Sequence, residues 1–272
     1  MSWIITGTQR YQPDALLDQY PGAAAAYSLR NLVGTSNPAV VRVRRDNDNS
    51  EADFTATEVS DGTLAAWVGA GNDGFVRTWY DQSGNSRHAV NTTNTTQPRI
   101  VINGSIELES GKVCFRFFGG AVLDTGFTGL TEKSIFAVAN LLSPVPQSRL
   151  LTSYPGSGGL FNYLILDKTP SNVFRYVDGG ASVTRPLTTG NTIFYASRSA
   201  ALLSFGVNSS VLAQASVSST SPNTRNYAIG EDIPAGSIEY PDSIQEIILY
   251  SSDQLANRTS IEANINAHYS IY

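Results

Sequence analysis

Short runs of β-branched and aromatic residues, punctuated by glycine- and asparagine-rich turns, predict a mostly-β protein of the sandwich or jelly-roll class. Two observations carry that expectation. Strand-like segments at 75–80, 99–102, 113–118, 134–141, 149–153, 160–166, 172–177, 192–197, 201–207, 225–229 and 244–250 follow one another without alternating with long helices. Turn signals such as Asn103-Gly104, Gly119-Gly120 and Asp178-Gly179-Gly180 fall between them at hairpin spacing. Only a few short helices and one C-terminal helix complete the pattern.

The chain opens with Ser2-Trp3-Ile4-Ile5, read as a short strand or an arm that docks on a neighbour. Four alanines and the spacing of Leu29 and Leu32 predict a short helix within 22–32, ended by Gly34. Val41 to Arg45 alternates, with Arg42 and Arg44 on one face of a strand and Val41 and Val43 on the other. Between Asp46 and Asp53, oxygen-bearing residues recur as in calcium loops. The central glycine and the closing glutamate are missing, so a solvated Asx turn is expected and no metal site. A second short helix is predicted over 61–69 with Asp61 as its cap. The stretch 253–269 reads as the terminal helix, with Leu255, Ile261, Ile265 and Tyr269 near one face and Ser251 with Gln254 as a capping box.

Bulk properties exclude several functions. The formal net charge is −5, and no run of Lys or Arg exceeds two, so phosphate-driven nucleic-acid binding is not expected. No apolar run approaches a membrane span, and the first residues do not form a signal peptide. Cys114 is alone, so no intrachain disulfide can form, and a buried inert thiol is expected. No cofactor motif is present: Gly156-Ser157-Gly158-Gly159 lacks the lysine of a phosphate loop.

The most informative segment is Trp79-Tyr80-Asp81-Gln82-Ser83-Gly84-Asn85-Ser86-Arg87-His88, a strand end that breaks into a polar turn. His88 is expected to brace this turn. The string resembles the Tyr-Asp-Gln-Ser-Gly-Asn motif of the catalytic domain of fungal α-L-arabinofuranosidase B. The ending, from Ile244 to Tyr250 and then Ser-Asp-Gln and a helix, resembles concanavalin A-like sandwiches of the laminin-G type. Together the resemblances imply a concanavalin A-like jelly-roll domain over 21–272, preceded by an arm over 1–20.

The resemblance also implies what an enzyme would need. A retaining glycosidase uses two carboxyl groups about 5–5.5 Å apart. The family acid lies in Gly-Gly-Asp-Asn-Ser, and Ile229-Gly230-Glu231-Asp232-Ile233 occupies the matching place, so the resemblance aligns Asp232 with the acid if the chain is an enzyme, while the favoured reading places Glu231 and Asp232 in an exposed loop before Pro234. The family nucleophile follows a cysteine pair in Cys-Cys-Phe-Asp-Tyr-Gly-Asn-Ala-Glu, and neither occurs here. Between Ser134 and Leu166 there is no carboxylate, and the next is Asp167. Glu239, Asp242 and Glu246 are the nearest others, with Glu246 read as structural. Relatives of this domain occur in bacteriophage structural proteins. The sequence therefore points to a non-enzymatic virion component, a head decoration or tail fibre part, made in the host cytoplasm. Its partners would be other virion proteins and host surface glycans, it would be a homo-oligomer, and Trp3, Ile4, Ile5 and Tyr11 would dock it. The alternative is a retaining arabinofuranosidase-type hydrolase.

Overall fold

The computed structural model of the chain describes residues 15–128, 130–141, 148–153, 164–217, 226–230 and 243–272. The docking residues Trp3, Ile4, Ile5 and Tyr11, and the candidate acids Asp232, Glu239 and Asp242, lie outside them. The chain enters through helix α1 (Leu16–Gln19), then strands β1 (Ala23–Ser28), β2 (Ala39–Arg45) and β3 (Glu51–Thr55). Helices α2 (Ala56–Ser60) and α3 (Thr63–Val68) lead to β4 (Gly74–Trp79) and β5 (Ala89–Val90). Short strands follow: β6 (Arg99–Ile102), β7 (Ser105–Ile106), β8 (Leu108–Glu109), β9 (Lys112–Val113), β10 (Phe115–Arg116) and β11 (Leu123–Asp124). Longer ones come next: β12 (Lys133–Asn140), β13 (Ser148–Ser153), β14 (Leu164–Lys168), β15 (Val173–Asp178) and β16 (Ala181–Pro186). The chain closes with β17 (Thr192–Ser199), β18 (Leu202–Val207), β19 (Ala213–Ser216), β20 (Ala228–Ile229), β21 (Ser243–Tyr250) and helix α4 (Arg258–Tyr269).

All pairings are antiparallel and trace two layers. One runs β19-β18-β17-β12-β21-β1. The other runs β3-β2-β4-β5-β11-β20-β13-β14-β15-β16. Strand β10 joins them, pairing with β21 on one side and β6 on the other. The architecture is the mostly-β sandwich that the strand pattern predicted. The two inner faces meet in a core that includes Tyr27, Trp79, Phe115, Ile135, Phe174, Phe194 and Leu249.

The first layer is buried on its outer face as well. There Phe136, Ile193, Tyr195, Ile248 and Tyr250 pack under Leu16 of α1 and Ile261, Ile265 and Tyr269 of α4. Period-two side chains facing two apolar surfaces explain why β12 and β21 are buried along their whole length.

Local readings need three corrections. The alanine-rich stretch forms β1, not a helix: Ala25 and Tyr27 face the inner core while Ala23 and Ala26 face the helices. Helix propensity is a few tenths of a kcal/mol per residue, and burial on both faces overrides it. The terminal helix starts at Arg258, not Asp253, and Leu255 is exposed. In place of the capping box, the Gln254 amide donates to Ser134 Oγ (2.9 Å) across the chain. Helix α3 begins at Thr63 after Gly62, whose φ of 96° suits glycine, while Asp61 Oδ1 accepts the Thr63 N–H (2.9 Å). Two helices were missed: α1, inside the stretch read as an arm, and α2, which carries a capping box made by Thr55 and Glu58.

Candidate active site

The 79–88 segment is a structural clip. Strand β1 pairs with β21 along one edge, and the segment occupies the other. Asp81 Oδ1 accepts the buried Ala26 N–H (2.8 Å) and the Gln82 N–H donates to Ala26 O (2.8 Å). Gln82 Nε2 donates to Ser28 O and Arg30 O, both at 3.0 Å, while its Oε1 accepts the Leu32 N–H (2.9 Å). Asn85 Nδ2 donates to Ala23 O (3.0 Å) and Ala24 O (3.1 Å). Side chains thus do for β1 what a neighbouring strand would, which removes an exposed sheet edge. Within the turn, Ser83 Oγ donates to Asp81 Oδ2 (2.8 Å), and Gly84 takes a φ of 87°. His88 Nδ1 accepts the Asp81 N–H (3.1 Å), so His88 braces the turn as expected. Trp79 is buried between Tyr27 and Phe115. The Tyr80 hydroxyl donates to Asp53 Oδ1 (2.8 Å), and burial together with that carboxylate pushes its pKa up to about 12. These residues hold the fold together; none offers a free nucleophile.

The expected Asx turn is also realised. Asp48 Oδ1 accepts the Ser50 N–H (2.9 Å) and Asp48 pairs with Arg45 (2.7 Å). Asp46 Oδ1 accepts the Asp73 N–H (3.0 Å), and Asp53 pairs with Arg42 (3.1 Å).

Two buried carboxylates have structural partners. Glu246, fully buried, is gripped by Arg30 through Nε (2.8 Å) and Nη2 (3.0 Å) and accepts from Ser28 Oγ (2.7 Å). Burial pushes its pKa up, but the charge and hydrogen bonds of Arg30 win and leave it below the usual value. Asp178 sits on the inner side of β15, where it meets Lys133 of β12 (2.7 Å), Arg198 of β17 (2.7 Å) and the Tyr176 hydroxyl (3.0 Å). This cluster ties the layers together at one end of the sandwich. Burial lowers the Lys133 pKa, partly offset by Asp178.

Asp167 is different. On β15, Phe174 and Tyr176 face the core, so Arg175 faces outward, and Asp167 of β14 lies directly opposite it. Arg175 holds Asp167 through Nε to Oδ1 (3.1 Å) and Nη2 to Oδ2 (2.7 Å). Arg149 of β13 stands directly across on the other side. The Asp167 side chain is fully buried, whereas that of Arg175 is 30% exposed. Asp167 is thus a buried carboxylate on the outer sheet face, opposite two arginine positions.

The route toward Asp232 leaves the sheet nearby. The Gly230 N–H donates to Leu150 O (3.1 Å), so β20 ends beside the residue that follows Arg149. Strands β20, β13 and β14 are consecutive neighbours. Two strand spacings, about 10 Å, therefore separate the end of β20 from Asp167 at the same height. Sequence reasoning passed over Asp167 because it lies just beyond the segment searched for a nucleophile. No local signal marked it, because Asp167 lies past the strand read at 160–166 and meets Arg175 only once β14 and β15 are aligned.

Comparison with known proteins bears on this geometry. No family profile matches the sequence, and no curated protein does. Among solved structures, a mutant family 54 glycoside hydrolase, an α-L-arabinofuranosidase soaked with 4-nitrophenyl α-L-arabinofuranoside, matches with a TM-score of 0.69. The identity is 12%, and the match covers 94% of this chain and 65% of that one. An arabinofuranosidase complexed with arabinofuranosyl-α-1,2-xylobiose matches with a TM-score of 0.68 at 13% identity, covering 94% and 64%. The chain shares the fold of these structures. It spans just under two thirds of the length of those structures. This finding overturns the non-enzymatic virion reading: the structures that share the architecture over nearly the whole chain are glycoside hydrolases, and the hydrolase alternative fits better.

Proposed function

We propose that the chain is a retaining glycoside hydrolase acting on α-L-arabinofuranosides, with Asp167 as nucleophile and Asp232 as acid and base. The observation that carries this reading is the buried Asp167 carboxylate on the outer sheet face, held by both ends of the Arg175 fork. The shared architecture with arabinofuranosidases supports it.

The chemistry assigns the roles. Retention requires one carboxylate that is ionised and one carboxylic acid that is protonated. In this assignment Asp167, held by the Arg175 fork, is the group that attacks the anomeric carbon. Asp232 then protonates the departing oxygen and afterwards draws the proton from the water that hydrolyses the ester.

The test is release of 4-nitrophenol from 4-nitrophenyl α-L-arabinofuranoside by the full chain. Asp167→Asn should reduce kcat/KM by about 1000-fold or more, equivalent to about 4 kcal/mol of barrier. Unaltered hydrolysis in Asp167→Asn, or a wild-type chain inert toward the substrate, would sink the assignment.

A further inference from the structure

A second site lies away from Asp167 and shares no residue with it. A cleft of about 710 Å³ opens between α2, the end of α4, the strand pair β8–β9 and the residues just after β1. Its volume falls within the range of small-molecule sites. Part of the lining is apolar, with Val59 buried and Leu108 exposed. The lining also includes Arg30, Lys112 and His268, with Lys112 on the same strand pair as Leu108.

Charge makes the cleft selective. No carboxylate belongs to its lining, although the chain as a whole carries −5. Arg30 is neutralised by Glu246 behind it, but Lys112 has no ion pair among the described residues, so the local balance is positive. Donors are also free. Of the five N–H groups of Arg30, two go to Glu246 and one to Asn264 (3.0 Å), which leaves two. His268 makes no hydrogen bond among the described residues and packs edge-on against Tyr269.

We infer that this cleft binds a small organic monocarboxylate with an apolar body, its carboxylate between Lys112 and Arg30 and its body against Val59 and Leu108. Charge-assisted bonds from the two cations would fix the carboxylate. The apolar wall would favour a hydrocarbon or aromatic ring over a hydroxyl-rich sugar acid, whose hydroxyls would lose water without partners there.

Calorimetric titration of the full chain with benzoate at low salt tests this, with benzyl alcohol and glucuronate as comparison ligands. Saturable benzoate binding is expected, with both comparison ligands weaker by about tenfold or more. Lys112→Met, at a half-exposed position on a surface strand pair, should weaken benzoate about fivefold or more while leaving the unfolding midpoint unchanged. Amide shifts on adding benzoate should centre on Arg30, Val59, Lys112 and His268. Absence of benzoate binding up to about 10 mM overturns the proposal. So does benzyl alcohol binding as tightly as benzoate, glucuronate binding more tightly, or Lys112→Met binding benzoate unchanged. None of these outcomes depends on hydrolase activity.

Discussion

Replacing Asp81 with alanine isolates what the 79–88 segment does. The carboxylate accepts from Ala26 N–H (2.8 Å) and Ser83 N–H (2.9 Å) through Oδ1, and from Ser83 Oγ (2.8 Å) and Arg87 N–H (3.0 Å) through Oδ2. Ala26 is fully buried, so its N–H would be left without a partner at a cost of about 1–3 kcal/mol. The Ser83 and Arg87 amides are partly accessible and would be rehydrated, at a cost of about 0.5–1.5 kcal/mol each. The expected loss is therefore about 2–6 kcal/mol, read as a shift in the urea midpoint at unchanged slope. Asp81→Asn keeps an acceptor for Ala26 but turns an amide toward the Arg87 N–H, so about half the loss is expected. An Asp81→Ala protein within about 1 kcal/mol of wild type would refute the view that this segment acts as a substitute strand for β1.

Other consequences can be measured with the same denaturation assay. Arg30→Met leaves Glu246 buried and unpaired and should cost about 3–5 kcal/mol, whereas adding Glu246→Gln should recover much of it. Gly230→Ala forces a side chain into the Phe117 ring at a φ of 96°, so a loss of at least about 2 kcal/mol is expected. His268 has a folded pKa lowered to about 4, by burial first and then by Arg30 and Lys112, against which Glu246 acts to raise it. Between that value and the unfolded value near 6.5 the unfolded chain takes up the proton, so stability is complete above about pH 7 and falls toward pH 4. His268→Gln should flatten that slope between pH 7 and 5, and an unchanged slope would remove His268 as its source.

How much of this was legible in the sequence depends on what each signal measures. Strand positions were readable because period-two alternation and turn residues are local: 99–102 was placed to the residue, and β12, β15, β18 and β21 to within one at each end. The identity of β1 was not readable, because alanines favour a helix locally and only the helices on one side and the core on the other make them a strand. Strand β19 (Ala213–Ser216) offers a weak apolar signal and exists because β18 pairs with it. The 79–88 string was recognisable, but its role as an edge clip depends on Ala23 to Ser28, more than fifty residues away. Asp167 was in plain view, yet its setting comes from register: Arg149 and Arg175 become its neighbours only once β13, β14 and β15 are aligned.

The central claim concerns a covalent ester on Asp167. Asp232→Asn removes the base that hydrolyses such an ester, while an aryl substrate with a good leaving group can still form it without acid assistance. Mass spectrometry of Asp232→Asn quenched during turnover of 4-nitrophenyl α-L-arabinofuranoside should find one pentosyl unit on the peptide that contains Asp167. A pentosyl unit on a different residue, or turnover with inversion at the anomeric carbon, would contradict the account.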